Sequence, residues 1–463
     1  MSSADSFNIQ GTEFYKKGDL EAARIHYLAA LRVNPWHFSA IMNLCEVLNH
    51  RNQITAAAAL MVRATALYPD RTLTWNNRGN LLKRLERYNE AGDCLELATS
   101  CSPDDAAAQH NLLLLRLRQG RVDEAIKCYE KIRDLGSDSL LIQNDIAHAY
   151  LILGDLKTAL PIYEARWASL VHLEPWDLHI PEWKGEDLTK KRILIHHEQG
   201  YGDTLMTSRF VRDLAKSVDC ELTFAVPGTL IRLFDSQDWG VEVIDIASLR
   251  EGDAKKFDFH SPIYSMMRWM GVEKGDISGE PYLIPPLVTC PPVYSSMFNV
   301  GICWSSGYRG NKMDWRRRVS PLEDWLTLAE VPGVQLWSLC PGEQAQNDIV
   351  RLGAEALVLD HVTDSFDFAE TAAFISQLDL VITVDTAVAH LAAAMGKETI
   401  VLSQFWHCWR WWDLENETGK PWYDEMNILP QIEPGDWKSQ LTQCKAALEV
   451  YTEIAKVQLR AAE

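Results

Sequence analysis

The sequence predicts an all-α solenoid of helical hairpins followed by an α/β module made of two Rossmann-like domains facing each other across a cleft. Three observations predict it. A 34-residue repeat runs through the first 170 residues, strand–loop–helix–strand alternation sets in from Arg192 and restarts at Asn299, and a proline-rich stretch from Ile284 to Pro292 separates the two occurrences. With 463 residues the chain has room for about three domains at roughly 150 residues each. The expected boundaries are residues 4–171 for the solenoid, 185–288 for the first α/β domain and 298–463 for the second.

The repeat is read from fixed positions. Gly18, Asn52, Glu86, Gly120 and Gly154 recur in register, alanine stands five residues later at 23, 57, 91, 125 and 159, and a large residue follows at Tyr27, Met61, Leu95, Tyr129 and Tyr163. Small alanines let two helices approach, the large residue one turn on fills the gap, and Pro35, Pro69 and Pro103 stop the second helix. The pattern, with Gly11, Gly79 and Trp75, resembles the tetratricopeptide repeat (TPR) in five copies. Such a solenoid offers a groove for a peptide or extended protein segment. Asn43, Asn76, Asn77, Asn111 and Asn144 are candidate contacts, since an amide both donates to and accepts from a peptide backbone.

After connector prolines at 175 and 181, Ile193–His196 reads as a buried strand, 198–203 as a loop, 204–216 as a helix and 221–226 as the next strand. The second half begins with a strand at 299–304 and continues with strands at 334–339, 380–384 and 399–403. Residues 385–396 read as a helix capped by Asp385, and 436–462 as a closing helix with Leu441, Cys444, Leu448, Tyr451 and Ile454 at helical spacing.

Charge divides unevenly. Residues 1–170 hold 19 basic and 20 acidic residues, a balance of −1, so of the total of −19 the remainder carries −18. That field disfavours nucleic acid and anionic membrane surfaces as partners. Its exception is Arg309, Lys312, Arg316, Arg317 and Arg318 around one acid, Asp314. This run directly follows a strand, where open α/β sheets bind ligands, and so reads as an anion contact. No basic-then-apolar leader and no run of about 20 apolar residues occurs, so neither secretion nor a transmembrane segment is expected. The ten cysteines form no Cys-x-x-Cys pair and read as buried thiols in a reducing cytoplasm, with no metal site.

Gly200-Tyr201-Gly202 raises a dinucleotide-binding loop, but Leu205 stands where its third glycine belongs. The second strand ends Val226-Pro227-Gly228 where a ribose-binding carboxylate is needed. Hydride transfer is therefore not expected, and no Walker A sequence is present. Thr386 and Ala387 are small enough to leave the first amides of the following helix open to a diphosphate, with His390 on the same face.

Residues 198–204, 367–373 and 384–392, with Trp409-Arg410-Trp411 and Pro421-Trp422-Tyr423, resemble bacterial TPR proteins fused to a heptosyltransferase-like (family 9) glycosyltransferase module. The resemblance implies a GT-B fold, a nucleotide-diphosphate sugar as donor substrate, no further cofactor and no essential metal. It implies that Asp203 is the general base, that Lys312 lies near the donor phosphates, and that Asp385, Thr386, Ala387 and His390 belong to the donor site. The residues read on their own also make Asp203 a plain helix cap. The amides of 386–388, Lys312 and either Arg316 or Arg318 add positive potential for the leaving diphosphate. Ser305 to Gly310 and Ser403 to Cys408 depart from the family pattern, which bears on donor choice. The cluster Trp406, Trp409, Trp411 and Trp412 reads as core or as a stacking surface.

The expected function is a cytoplasmic, inverting, metal-independent glycosyltransferase whose TPR groove presents a protein hydroxyl. The alternatives are a heptosyltransferase-like enzyme acting on lipopolysaccharide core or another glycan, and a TPR adaptor with an inactive transferase module.

Overall fold

The computed structural model describes residues 2–169, 179–306, 318–360, 367–405, 408–411 and 422–462. The chain forms two compact units, Met1–Ala149 and Tyr150–Glu463.

The first unit is built of antiparallel helix pairs, Ser3–Lys16 with Leu20–Val33, Phe38–His50 with Ile54–Leu67, Thr72–Arg84 with Tyr88–Cys101, and Ala106–Arg118 with Val122–Asp134, followed by Leu140–Ile152. The repeat position between the helices of each pair is left-handed throughout: φ is 80° at Gly18, 58° at Asn52, 60° at Glu86, 71° at Gly120 and 71° at Gly154. A turn this tight requires that conformation, which is open to glycine and costs other L-residues roughly 1–2 kcal/mol. The repeat alanines are fully buried. A Cβ on Gly11 would lie 2.6 Å from the Tyr27 ring, and one on Gly79 2.6 Å from Leu95 Cγ, so the small residue of one helix makes room for the large residue of its partner.

Three of the candidate groove asparagines bond within the array. Asn43 Nδ2 donates to Asn8 Oδ1 at 3.0 Å and Asn111 Nδ2 to Asn76 Oδ1 at 2.9 Å, while Asn144 is buried. These amides join neighbouring repeats, because equivalent positions of adjacent first helices face each other.

The second unit takes in the end of the Leu140–Ile152 helix and the last repeat helix, Leu156–Tyr163, and holds two sheets. The first contains β1 (Arg192–His196), β2 (Glu221–Val226), β3 (Glu242–Asp245) and β4 (Phe259–Pro262), all parallel, in the order β3-β2-β1-β4. The second contains β5 (Phe298–Cys303), β6 (Val334–Ser338), β7 (Val358–Asp360), β8 (Leu380–Val384), β9 (Thr399–Ser403) and β10 (Met426–Pro430), again parallel, in the order β10-β9-β8-β5-β6-β7. Counted from β5, that is the 3-2-1-4-5-6 order of a Rossmann domain, and the first sheet repeats its 3-2-1-4 core. The chain reverses direction across each sheet between β1 and β4 and between β5 and β8. Ligands bind at the carboxyl ends of such strands.

The 201–217 helix starts at Tyr201, three residues before the expected start, because Gly200 supplies an extended N-cap residue. The closing helix runs Trp437–Ala462. It buries Leu441, Cys444 and Leu448, whereas Ile454, expected with them, is exposed. Cys101 is likewise exposed where a buried thiol was expected. Trp409 and Trp411 are buried at 2% and 1% exposure and pack as core. Trp406 and Trp412 lie outside the described residues.

Candidate active site

Both reversal points carry charged residues, and the two meet. The Tyr201–Ser217 helix follows β1, the Ala387–Ala394 helix follows β8, and their first turns are in contact. A Cβ on Gly202 would lie 2.8 Å from His390 Cδ2 and 3.5 Å from the Ala387 Cα. The Gly-x-Gly sequence thus permits a close approach between the helices that follow the two sheets. Two helix N-termini converging on one point favour negative charge there.

Asp203 stands at the third position of its helix and is buried, with its side chain folded back on the cap. Its Oδ2 accepts the Gly200 N–H at 2.9 Å, and its Oδ1 accepts the Tyr264 hydroxyl at 2.5 Å. Arg410, from a short turn between β9 and β10, donates to the same Oδ1 through Nε at 2.8 Å and also through Nη2. Burial by itself raises the Asp203 carboxyl, but the Arg410 guanidinium and the bonds from Tyr264, Arg410 and Gly200 outweigh it and hold the group below the usual carboxylate range. Tyr264 moves the other way, well above the ordinary phenol range, through burial and the Asp203 charge.

Behind this pair lies a second buried layer. Glu198 Oε1 accepts the Tyr264 N–H at 2.9 Å, and Arg166 grips both Glu198 oxygens at 3.0 and 3.1 Å while donating to Ser265 Oγ at 2.8 Å. Arg166 is fully buried and sits just past the last repeat helix, so the end of the repeats is wired into the base of the site. A bidentate, fully hydrogen-bonded pair such as this fixes orientation strongly.

On the opposite side, Asp385 is buried, and its Oδ2 lies 3.8 Å from Arg318 Nε, too far for a hydrogen bond. Neither atom has a hydrogen-bond partner among the described residues. The expected capping role of Asp385 is corrected. Thr386 is the cap residue, the helix starts at Ala387, and the Asp385 carboxylate turns to Arg318 instead. The Thr386 side chain makes no cap bond, its Oγ1 lying 2.9 Å from Thr383 Oγ1. The Asp385 charge does most to raise the Arg318 pKa, with Asp203 contributing, so both carboxylates and both arginines share one electrostatic cluster.

His390 is sandwiched rather than open. Its ring stacks on Trp411 at 4.9 Å and 13°, and Nδ1 lies 3.0 Å from the Tyr423 hydroxyl. Burial pushes its pKa down to about 4, so it is neutral at pH 7. Lys312, expected beside the donor phosphates, lies outside the described residues, as do Arg309, Arg316 and Arg317. The structure therefore brings together Asp203, Asp385, Thr386, Ala387, His390 and Arg318, and adds Tyr264 and Arg410. A lone arginine between tryptophans signals a buried cation that needs a partner. Tyr264 carries no such signal, since β4 is a four-residue strand holding a histidine and a proline.

Residues 321–403 match the family model of glycosyltransferase family 9 (heptosyltransferase), a stretch that includes Asp385, Thr386, Ala387 and His390. Residues 10–72, 76–140 and 110–169 match a tetratricopeptide repeat model. Protein FlbA of Caulobacter vibrioides is 25% identical over 324 residues, which is 64% of this chain and 53% of that protein, so the chain spans about half the length of this relative. Among similar solved structures, a thermophilic TPR protein of Thermus thermophilus covers 37% of this chain and 93% of its own, at 20% identity and TM-score 0.32. MamA from Desulfovibrio magneticus RS-1 covers 35% and 93%, at 18% identity and TM-score 0.33. The chain carries an array of tetratricopeptide repeats and, after it, a glycosyltransferase family 9 domain.

Proposed function

We propose that the second unit transfers a sugar from a nucleoside-diphosphate donor to a hydroxyl of a protein recruited by the repeats. The observation that carries this reading is the convergence of Asp203 and Tyr264 from one reversal point with Asp385, Thr386 and Arg318 from the other. In the reaction Asp203 takes the acceptor hydroxyl proton while the oxygen forms its bond to the anomeric carbon. The bond from that carbon to the diphosphate breaks, and its electron pair leaves with the nucleoside diphosphate. Attack from the face opposite the leaving group inverts the anomeric centre. Arg318, Lys312 and the amides after Thr386 meet the charge that develops on the leaving group, so the reaction as proposed uses no metal ion. All ten cysteines are free thiols, which fits a reducing cytoplasmic setting.

A protein acceptor is supported by the repeat array and by the weak net charge of that part of the chain. The heptosyltransferase description of the family favours a second reading, with a glycan acceptor. Calorimetric titration of the whole chain with UDP-, GDP- and ADP-sugars tests the donor site. At least one binds, and Asp385→Asn weakens it by removing the charge that holds Arg318 in place. Unaltered turnover in EDTA and an inverted anomeric proton coupling in the product complete the expected result. Binding of none of these donors contradicts it.

A further inference from the structure

Four donors occupy the Asp203 carboxylate: the Gly200 N–H, the Tyr264 O–H, and Arg410 through Nε and Nη2. A carboxylate has about four lone-pair sites in all. Three of the four crowd Oδ1, which has two, while Oδ2 takes only the Gly200 N–H and is folded back on the helix cap, so for Oδ1 to act as the base it must first lose a donor.

The four donors are not equally free to go. The Gly200 N–H belongs to the cap of the helix that carries Asp203. Tyr264 is 1% exposed, is packed edge-on against Tyr163 at 5.6 Å and Trp409 at 5.9 Å, and has its own N–H held by Glu198. Arg410 differs on each count. It comes from the other domain on a three-residue turn, its side chain is 15% exposed, and it carries a charge that a diphosphate would attract. Among the described residues its remaining Nη1 has the Cys408 sulfur at 3.1 Å, a weak acceptor. Beside it, Arg318 Nε and Asp385 Oδ2 are buried atoms with unused hydrogen-bonding capacity among the described residues, which suits a further polar group.

We infer that Arg410 is a donor-operated latch on the base: it holds Asp203 until the diphosphate of the nucleotide sugar takes the guanidinium for itself, freeing the carboxylate for the acceptor hydroxyl. This rests on the donor reading above. The exchange conserves charge, since the arginine swaps one anion for another, and it ties activation of the base to occupancy of the donor site. Water reaching the site without the donor meets an Oδ1 already engaged by Tyr264 and Arg410.

A latch makes Asp203 and the diphosphate competitors for one arginine, and competition has a thermodynamic signature. The full-length chain is titrated with UDP, GDP and ADP and with the corresponding nucleosides. Arg410→Gln lowers affinity for the bound nucleoside diphosphate by about tenfold or more and leaves nucleoside binding unchanged. Asp203→Asn raises diphosphate affinity by about tenfold, because the arginine no longer has to leave a carboxylate. The double variant loses that gain, which is the coupling the cycle measures. Arg410→Lys keeps the cation and stays within a few-fold of wild type. Should Arg410→Gln fail to fold, Asp203→Asn and Arg410→Lys still decide. Wild-type binding with no gain in Asp203→Asn overturns the latch and leaves the donor site standing. Binding of no nucleoside diphosphate by the wild type overturns the donor reading, and the latch with it.

Discussion

His390 is a histidine the fold keeps uncharged. Buried between Trp411 and the first turn of the facing helix, it has a pKa pushed down to about 4, and His196, buried on β1 beside His260, falls to about 3. An unfolded histidine titrates near 6.5. As pH drops from 6.5 towards 4 the unfolded chain takes up protons that the folded chain refuses, so the stability present above 6.5 is lost on acidification. Between pH 6.5 and pH 5 each withheld proton costs roughly 2 kcal/mol. Guanidinium unfolding at pH 7.5 and pH 5 therefore shows a steep loss in the wild type. His390→Gln, which has no proton to refuse, loses roughly 2 kcal/mol less between the same two pH values, and an equal loss in both contradicts this. At this scale the sequence displays Asp203, Asp385 and His390 plainly, because each follows a buried strand within a few residues. It hides Arg410 and Tyr264, because what gives them meaning is a contact with Asp203 across some 207 and 61 residues of chain.

The Tyr201–Ser217 and Ala387–Ala394 helices owe their contact to one missing side chain. A methyl group at 202 meets His390 at 2.8 Å, and the ring cannot retreat because Trp411 stacks on its other face. Gly202→Ala accordingly pushes the two first turns apart. Overpacking of this kind costs roughly 1–3 kcal/mol, and urea unfolding of the second unit reads it. Turnover falls in the same variant, since Asp203 lies in one displaced turn and the donor amides in the other. A variant as stable and as active as wild type shows that the turns do not bear on each other. The glycines are visible in the sequence, but local pattern ties Gly-x-Gly after a strand to a phosphate loop. The partner that explains Gly202 lies in the helix that follows a strand of the other sheet. The repeats are the opposite case. Every 34th residue is left-handed at the turn and every repeat alanine is buried, so periodicity alone carries them. The cap at Thr386 in place of Asp385 is a one-residue difference set by where the helical backbone begins, at Ala387.

Across the whole molecule, the division at Ala149 and Tyr150 puts the last repeat helix and Arg166 with the transferase domain. A chain starting at Tyr150 keeps the Arg166–Glu198 pair. A chain starting at 171 leaves Glu198 buried, with its carboxyl already raised by burial and no cation to hold it. Removing one partner of a buried pair costs about 3–5 kcal/mol, so 171–463 melts well below 150–463. Comparable melting of the two removes Arg166 from the structural account. The 150–463 chain should also bind and slowly hydrolyse the nucleotide sugar while losing transfer to a protein acceptor. Transfer at the full-length rate moves the balance to a glycan acceptor. The sequence separates repeats from transferase by a change of period, but period does not show that the last hairpin is shared with the second unit. The central claim, that Asp203 is the base of a sugar transfer, is tested most directly by single-turnover transfer in wild type and Asp203→Asn at saturating nucleotide sugar. The account predicts a fall of about 10²–10⁴-fold in the chemical step with donor binding at least as tight as wild type, and a chemical step of wild-type rate in that variant would contradict it.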